Sequence, residues 1–308
     1  TLGQQLLQAG YRFTTVTPAT HQLVNARIGN EWSLSIADIF GWSRPFKVTD
    51  IDSPNFSEIF VLMQEADILL SFKDGYRSAL RASTLDGNLY FHSAYPTTEA
   101  DSVFFGPDTY RFVRALKSDL TASLAVQRAV DIGCGAGPGA LTIAGLYRQA
   151  EVFAVDINDA ALQITAVNAE LAEMSNVVTC QSNLLTGVSG KFDLIVSNPP
   201  YLVDPGQRTY RNGGGTLGAD LSLKILDAAL ERLAPNGTLL MYTGAPMIGG
   251  RDFLLQEVER ILTHRPDCVW RYEELDPDIF GEELAEDSYK DCDRIAAVWL
   301  KVTKVIQS

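Results

Sequence analysis

The chain has 308 residues, 46% of them hydrophobic, which is enough to bury one large domain with a small one, or two domains. A net charge of −13 lacks the general basic footprint of a surface that grips phosphates, and leaves only a local patch open to that role. The four cysteines (Cys134, Cys180, Cys268, Cys292) form no Cys-x-x-Cys pair and the three histidines are scattered, so no metal cluster is expected and a reducing compartment is.

Residues 4–9, 18–27 and 57–66 read as helices. Two alternating runs, 76–82 and 88–93, flank Leu85-Asp86-Gly87, a hairpin turn signal. Helices followed by a hairpin suggest a small α+β, winged-helix-like unit over residues 1–95 that recognises a substrate. Lys73, Arg77 and Arg81 form its modest basic cluster, which is also what an ordinary solvated wing would carry. Residues 96–127 read as a linker and a helix leading into the next unit. From residue 128 strands and helices alternate: strand 130–132, helix 138–150 with Pro138 in its first turn, strand 152–156, helix 158–174 with Asn158 as cap. There follow strand 177–180, strand 192–197, helix 219–233 closed by Pro235-Asn236-Gly237, strand 238–242, helix 252–263 and strands 269–272 and 295–302. Continuous apolar strands alternating with helices mean βαβ units and a mainly parallel sheet. Residues 1–120 carry −3 and the remainder −10. Residues 273–293 hold ten acids against Lys290 alone, a solvated loop or a surface that repels polyanions or docks a basic partner. With no basic-then-apolar leader and no apolar run near ~18–20 residues, a cytoplasmic protein without membrane contact is expected.

Three motifs carry chemistry. Strand 192–197 ends in Asn198-Pro199-Pro200-Tyr201, where two prolines force the chain out of the sheet. The amide oxygen of Asn198 and the carbonyl of Pro199 suit the N–H groups of a planar nitrogen, and Tyr201 can stack on its plane. The same string also reads as a proline-rich turn. Strand 130–132 ends in Asp131-Ile132-Gly133-Cys134-Gly135-Ala136-Gly137-Pro138. Its glycines permit close approach of a ligand, and the helix that follows offers free N–H groups to a carboxylate. Asp131 suits a ligand ammonium and opposes a pyrophosphate. The dinucleotide spacing fits only from Gly135 to Ala140, one turn too late after the strand. Asp156 ends the next strand, 25 residues beyond Asp131, where a carboxylate can accept both ribose hydroxyls of a nucleoside. After the third strand, Ser182-Asn183-Leu184 puts Asn183 near an adenine edge, or makes it a loop cap.

In this order the motifs resemble the class I S-adenosylmethionine (SAM) dependent methyltransferases, from Ala129 to the C-terminus. The resemblance implies a Rossmann-like, seven-stranded, mostly parallel α/β sheet over residues 128–308, with no metal. It implies SAM as cofactor and S-adenosylhomocysteine as product. Its methionine part would lie along Gly133, Cys134, Gly135 and Gly137, its ribose on Asp156, and its adenine near Ile157, Asn183 and Leu184. Within the class, Asn-Pro-Pro-Tyr marks methylation of planar nitrogens. Gly106-Pro107-Asp108-Thr109-Tyr110 resembles the P-x-P-D-T-E segment of the HemK/PrmC release-factor glutamine methyltransferases, with Tyr110 in place of the glutamate. That puts Pro107, Asp108 and Thr109 beside the site, or at a helix cap. Tyr210 to Gly215 with Gly218-Ala219-Asp220 resembles that family's glycine-bearing loop. The first third does not resemble its helical bundle. The resemblance favours a protein glutamine, in a release-factor-like partner, over N6 of adenine in rRNA, tRNA or DNA. A non-catalytic SAM-fold binding protein is the reading from another class, and the chain is expected to be a monomer or homodimer.

Overall fold

Strands that are apolar on both faces need cover on both, and this chain supplies it with the helices that follow each strand. The structure, a computed structural model, describes residues 1–121, 125–204, 208, 210–215 and 217–306. It opens with α1 (Leu2–Gln8), α2 (Pro18–Asn25), α3 (Ile36–Phe40) and α4 (Phe56–Glu65). Thr1, Thr17 and Ser35 cap the first three by accepting a backbone N–H of the first turn. Two antiparallel hairpins follow: β1 (Leu69–Phe72) with β2 (Gly75–Ser78), and β3 (Leu80–Leu85) with β4 (Asn88–Ser93). Asp86 and Gly87, with φ of 52° and 83°, make the turn that their sequence signals. The run expected as a single strand over 76–82 is split at Ala79: its first half pairs backward with β1, and its second half pairs forward with β4. The five-residue α3 is too short for a helical period to register in the sequence.

The chain then runs through α5 (Pro107–Asp119), β5 (Arg128–Ile132), α6 (Pro138–Leu146), β6 (Glu151–Asp156), α7 (Asp159–Leu171) and β7 (Val177–Gln181). It continues through β8 (Phe192–Ser197), α8 (Asp220–Arg232), β9 (Leu233–Ile248), β10 (Arg251–Asp252), α9 (Phe253–Leu262), β11 (Cys268–Asp276) and β12 (Arg294–Lys304). The central sheet has the order β11-β12-β9-β8-β5-β6-β7, with β10 paired to β9. It is parallel from β9 to β7 and antiparallel at β12 and β11. The result is a Rossmann-like α/β sheet. Phe112 of α5 and Leu141 and Ile143 of α6 cover one face with Val152; Ile225 of α8 and Val258 of α9 cover the other with Ile195 and Leu239. The N-terminal elements close their own core around Leu6, Phe40, Phe46 and Ile59, which Leu171 of α7 joins.

Two expected boundaries move. The helix expected to 150 stops at Leu146, because Tyr147 leaves helical geometry (φ −114°, ψ 72°) and its hydroxyl donates to the carbonyl of Thr121 at 2.8 Å. The turn expected at 235–237 lies inside β9, where Asn236 takes φ 63° and the register with β8 shifts between Phe192 and Leu194. Chain order reverses at β5, flanked by β6 and β8, so a crevice opens above the C-terminal ends of these strands. No helix of the described residues is long and apolar enough to cross a membrane.

Candidate active site

Between β5 and α6 the backbone turns through Gly133, Gly135 and Gly137, with φ of 71°, 55° and 86°. Side-chain-bearing residues rarely adopt such angles. A Cβ on Gly133 or Gly135 would meet nothing within 4 Å, because both face the open cleft; a Cβ on Gly137 would meet Thr165 at 2.9 Å. The first two glycines therefore shape a cavity wall and the third serves packing. Asp156, at the end of β6, holds this loop. Its Oδ2 accepts the Gly135 N–H (3.1 Å) and its Oδ1 accepts the Asn158 N–H (3.0 Å). Burial raises the pKa of this carboxyl, and the backbone donors oppose the rise.

Asp131 and Cys134 sit behind the loop. Asp131 is 2% exposed and accepts the N–H of Ala140, in the first turn of α6, at 2.8 Å. It thus satisfies a helix-end donor, where the sequence suggested a partner for a ligand ammonium. Burial drives its carboxyl up to about 7, opposed by the bond from Ala140 and reinforced by the charge of Asp156. Cys134 is buried against the Thr165 hydroxyl.

Gly133, Gly135, Asp156, Ile157, Asn183, Leu184 and Asn198 all line one cleft. Ile157 is 55% exposed there, an apolar surface left without a protein partner. Ser102, Val103, Phe104 and Leu221 complete the wall, and Asn158 ties the first of these segments down by donating to the carbonyl of Asp101 at 2.7 Å. No sequence signal marks them as site residues. They belong to apolar stretches that only the fold carries to the strand ends.

Ser197 donates its hydroxyl to the carbonyl of Ile132 at 2.7 Å, pinning the end of β8 to β5. Beyond it, Asn198, Pro199 and Pro200 line the cleft on one side and a second cavity on the other. Tyr95, Thr97, Asp108, Tyr201, Phe280 and Glu283 line that second cavity, and Phe104 and Tyr210, stacked at 5.9 Å, line both. Tyr201 is only 6% exposed. Its ring lies against Gly244, where a Cβ would come within 2.3 Å, and its hydroxyl donates to Asp108 at 2.6 Å. Little ring face remains to stack on a bound molecule. Pro107 starts α5, and the Thr109 hydroxyl accepts the N–H of Gly106, so these two cap the helix. Asp108 alone of the three turns its carboxylate to the second cavity, and burial raises its pKa against donors from Tyr201, Tyr242 and Arg111. The glycine-bearing loop packs its backbone on Tyr201. A Cβ on Gly213 would lie 2.7 Å from the Tyr201 Cα, and one on Gly218 would lie 2.2 Å from its carbonyl oxygen.

Residues 109–261 match the methyltransferase small domain family. The release factor glutamine methyltransferase of Deinococcus radiodurans is 31% identical over 170 residues, which cover 51% of this chain and 59% of that protein. The ribosomal protein uL3 glutamine methyltransferase of Xanthomonas campestris is 28% identical over 203 residues, 62% of this chain and 66% of that one. The chain thus spans between 43% and 66% of the length of these and other relatives it matches, about half on the whole. Among solved structures, Trm5 of Methanocaldococcus jannaschii in complex with adenosine aligns with a TM-score of 0.51 at 17% identity, over 76% of this chain and 58% of that one. Trm5b of Pyrococcus abyssi aligns at 0.50 and 16%, over 77% and 62%. At such identities these two show the fold alone. Strand order, glycine loop, Asn-Pro-Pro-Tyr and relatives together liken this chain to the HemK/PrmC-like class I methyltransferases, with residues 109–261 matching the methyltransferase small domain.

Proposed function

We propose that the protein methylates the side-chain amide nitrogen of a glutamine in a protein, with SAM as donor. One observation carries the reading: Asn198, Pro199 and Pro200 form the wall shared by two cavities, one suited to a nucleoside and one to an acceptor. The first cavity fits SAM by the chemistry of its lining. Gly133 and Gly135 leave room where a Cβ would stand, Asp156 keeps free lone pairs for ribose hydroxyls, and Ile157 and Leu184 offer apolar surface to an adenine ring. When bound, SAM supplies a sulfonium methyl as electrophile. The remaining work falls to the chain. The Asn198 amide oxygen and the Pro199 carbonyl accept both hydrogens of the acceptor NH₂, which draws its lone pair out of conjugation. A proton then need not leave before the nitrogen reacts, so no general base is required at Asn198. The enclosing walls exclude water, and alignment supplies most of the rate.

The near-complete burial of Tyr201 removes the ring that Asn-Pro-Pro-Tyr itself could offer a stacked purine, while an amide needs only acceptors, and this supports an amide. The charge of −13 supports the same choice. We further propose that residues 1–95 recognise the acceptor, because Pro18 and Tyr95 lie on the wall of the second cavity. The named targets of the relatives, a release factor and a ribosomal protein, support a cytoplasmic site of action. The test is transfer of tritiated methyl from SAM into cell lysate, followed by protease or nuclease. Counts released by protease and resistant to nuclease, with N5-methylglutamine on exhaustive enzymatic digestion, are expected; nuclease-sensitive counts would reverse the acceptor assignment.

A further inference from the structure

The tyrosine of Asn-Pro-Pro-Tyr is held by a buried network that joins two motifs the sequence shows only separately. Asp108 stands in the first turn of α5, where a carboxylate usually turns to the helix-end N–H groups. Here it turns away from them. Its Oδ2 accepts the Tyr201 hydroxyl at 2.6 Å; its Oδ1 accepts the Tyr242 hydroxyl at 2.8 Å and an Arg111 N–H at 3.0 Å. Arg111 in turn reaches Asp276, at the end of β11, at 3.0 Å. The carboxylate thus draws together α5, β9 and the residues after β8, all around one buried anion whose acceptors are filled by charge-assisted donors.

The consequence falls on Asn198-Pro199-Pro200. This short bridge is pinned at its first end by Ser197 on the carbonyl of Ile132, and at its other end by Tyr201 on Asp108. Between the two pins, both prolines lack an N–H, so neither can donate a ladder bond. We propose that Asp108 is a positioning residue for methyl transfer: by holding the Tyr201 hydroxyl it fixes the Pro199 and Pro200 carbonyls against the cofactor cleft. This rests on the methyltransferase reading above. A misplacement of ~1 Å in such a site lowers a rate by ~100-fold.

The test compares Tyr201→Phe, Asp108→Asn and the double variant in the full-length protein. Each single variant is expected to lower kcat by roughly 10- to 100-fold while KM for the acceptor and the calorimetric Kd for SAM stay within about twofold. The double variant should be no worse than the worse single one, because both break one link. A second measurement does not depend on turnover. In protein labelled with ¹³C at tyrosine Cζ, the Tyr201 resonance, assigned by its absence in Tyr201→Phe, should move in Asp108→Asn. Should Asp108→Asn fail to fold, Tyr201→Phe still decides the matter, since it removes one oxygen and no ring volume. A folded Tyr201→Phe with wild-type kcat, or a resonance that stays put, overturns the proposal; so does a lowered Tm with kcat intact at the assay temperature. A wild-type protein inactive on glutamine whose resonance does move overturns the acceptor assignment and supports the tie.

Discussion

At Asn198 two demands meet in one residue: it lines both cavities while its backbone must leave the sheet into two prolines. Replacement by Ala keeps the turn and removes the amide. Asn198→Ala is expected to keep SAM affinity within about twofold and to lose methyl transfer by at least ~100-fold, a loss confined to a bond made by the reacting group; turnover near wild type would refute its acceptor role. Asp156 has the complementary task, holding the glycine loop with one oxygen and the cap residue of α7 with the other. Asp156→Ala should weaken SAM by roughly 1.5–3 kcal/mol, as for a lost charge-assisted bond, and unchanged calorimetric affinity would refute its ribose role. Both were legible in the sequence: Asn198 ends a strand ahead of two prolines, and Asp156 ends the strand that follows the glycine loop, 25 residues beyond Asp131. Phe104 and Tyr210 were not, since an aromatic pair that joins two cavities only through the fold carries no local signal.

The elements of the sheet follow from their apolar runs, and α6 shows what such a reading omits. The stretch after Gly137 reads as a helix behind a ligand loop, yet its start rests on Asp131, a carboxylate buried beneath it. The folded value of about 7 lies above the ordinary 3.8, so the native state holds this proton more tightly than the unfolded chain. Below about pH 4 both states are protonated and the group costs nothing. As the pH rises from about 4 to 7 the unfolded chain ionises first and stability falls; above 7 the full cost, at most about 4 kcal/mol, stays. Asn keeps an oxygen for the Ala140 N–H without the charge. Asp131→Asn should therefore raise urea stability by a margin about half as large at pH 5.5 as at pH 8. A margin independent of pH would show that Asp131 titrates normally. The same reading missed α3, whose five residues hold little more than one turn, and the split of the expected strand at Ala79, where each half joins a separate local hairpin.

On the scale of the whole molecule, the N-terminal elements and the sheet are joined at a side chain that the helical period marks only as part of α7. Asn168 is fully buried. It accepts the Phe91 N–H at 2.8 Å and donates to the Phe91 carbonyl at 3.0 Å, as a neighbouring strand would, while its second amide hydrogen reaches the carbonyl of Ala136 at 2.9 Å. One residue thus closes the outer edge of β4, fastens it to α7 and steadies the glycine loop. Its partners lie 77 and 32 residues away, so no local pattern could reveal them. If the N-terminal elements serve to bring an acceptor to Asn198, this link keeps the second cavity in register with the first. Asn168→Ala would leave three buried backbone groups without partners, at a cost of about 2–5 kcal/mol. Urea unfolding followed by far-UV circular dichroism and tryptophan fluorescence is expected to give one coincident transition in the wild type. In the variant the midpoint should fall and SAM affinity weaken several-fold, because Ala136 lies in the glycine loop. A variant as stable as wild type, with unchanged affinity, would mean that the two parts do not depend on this link.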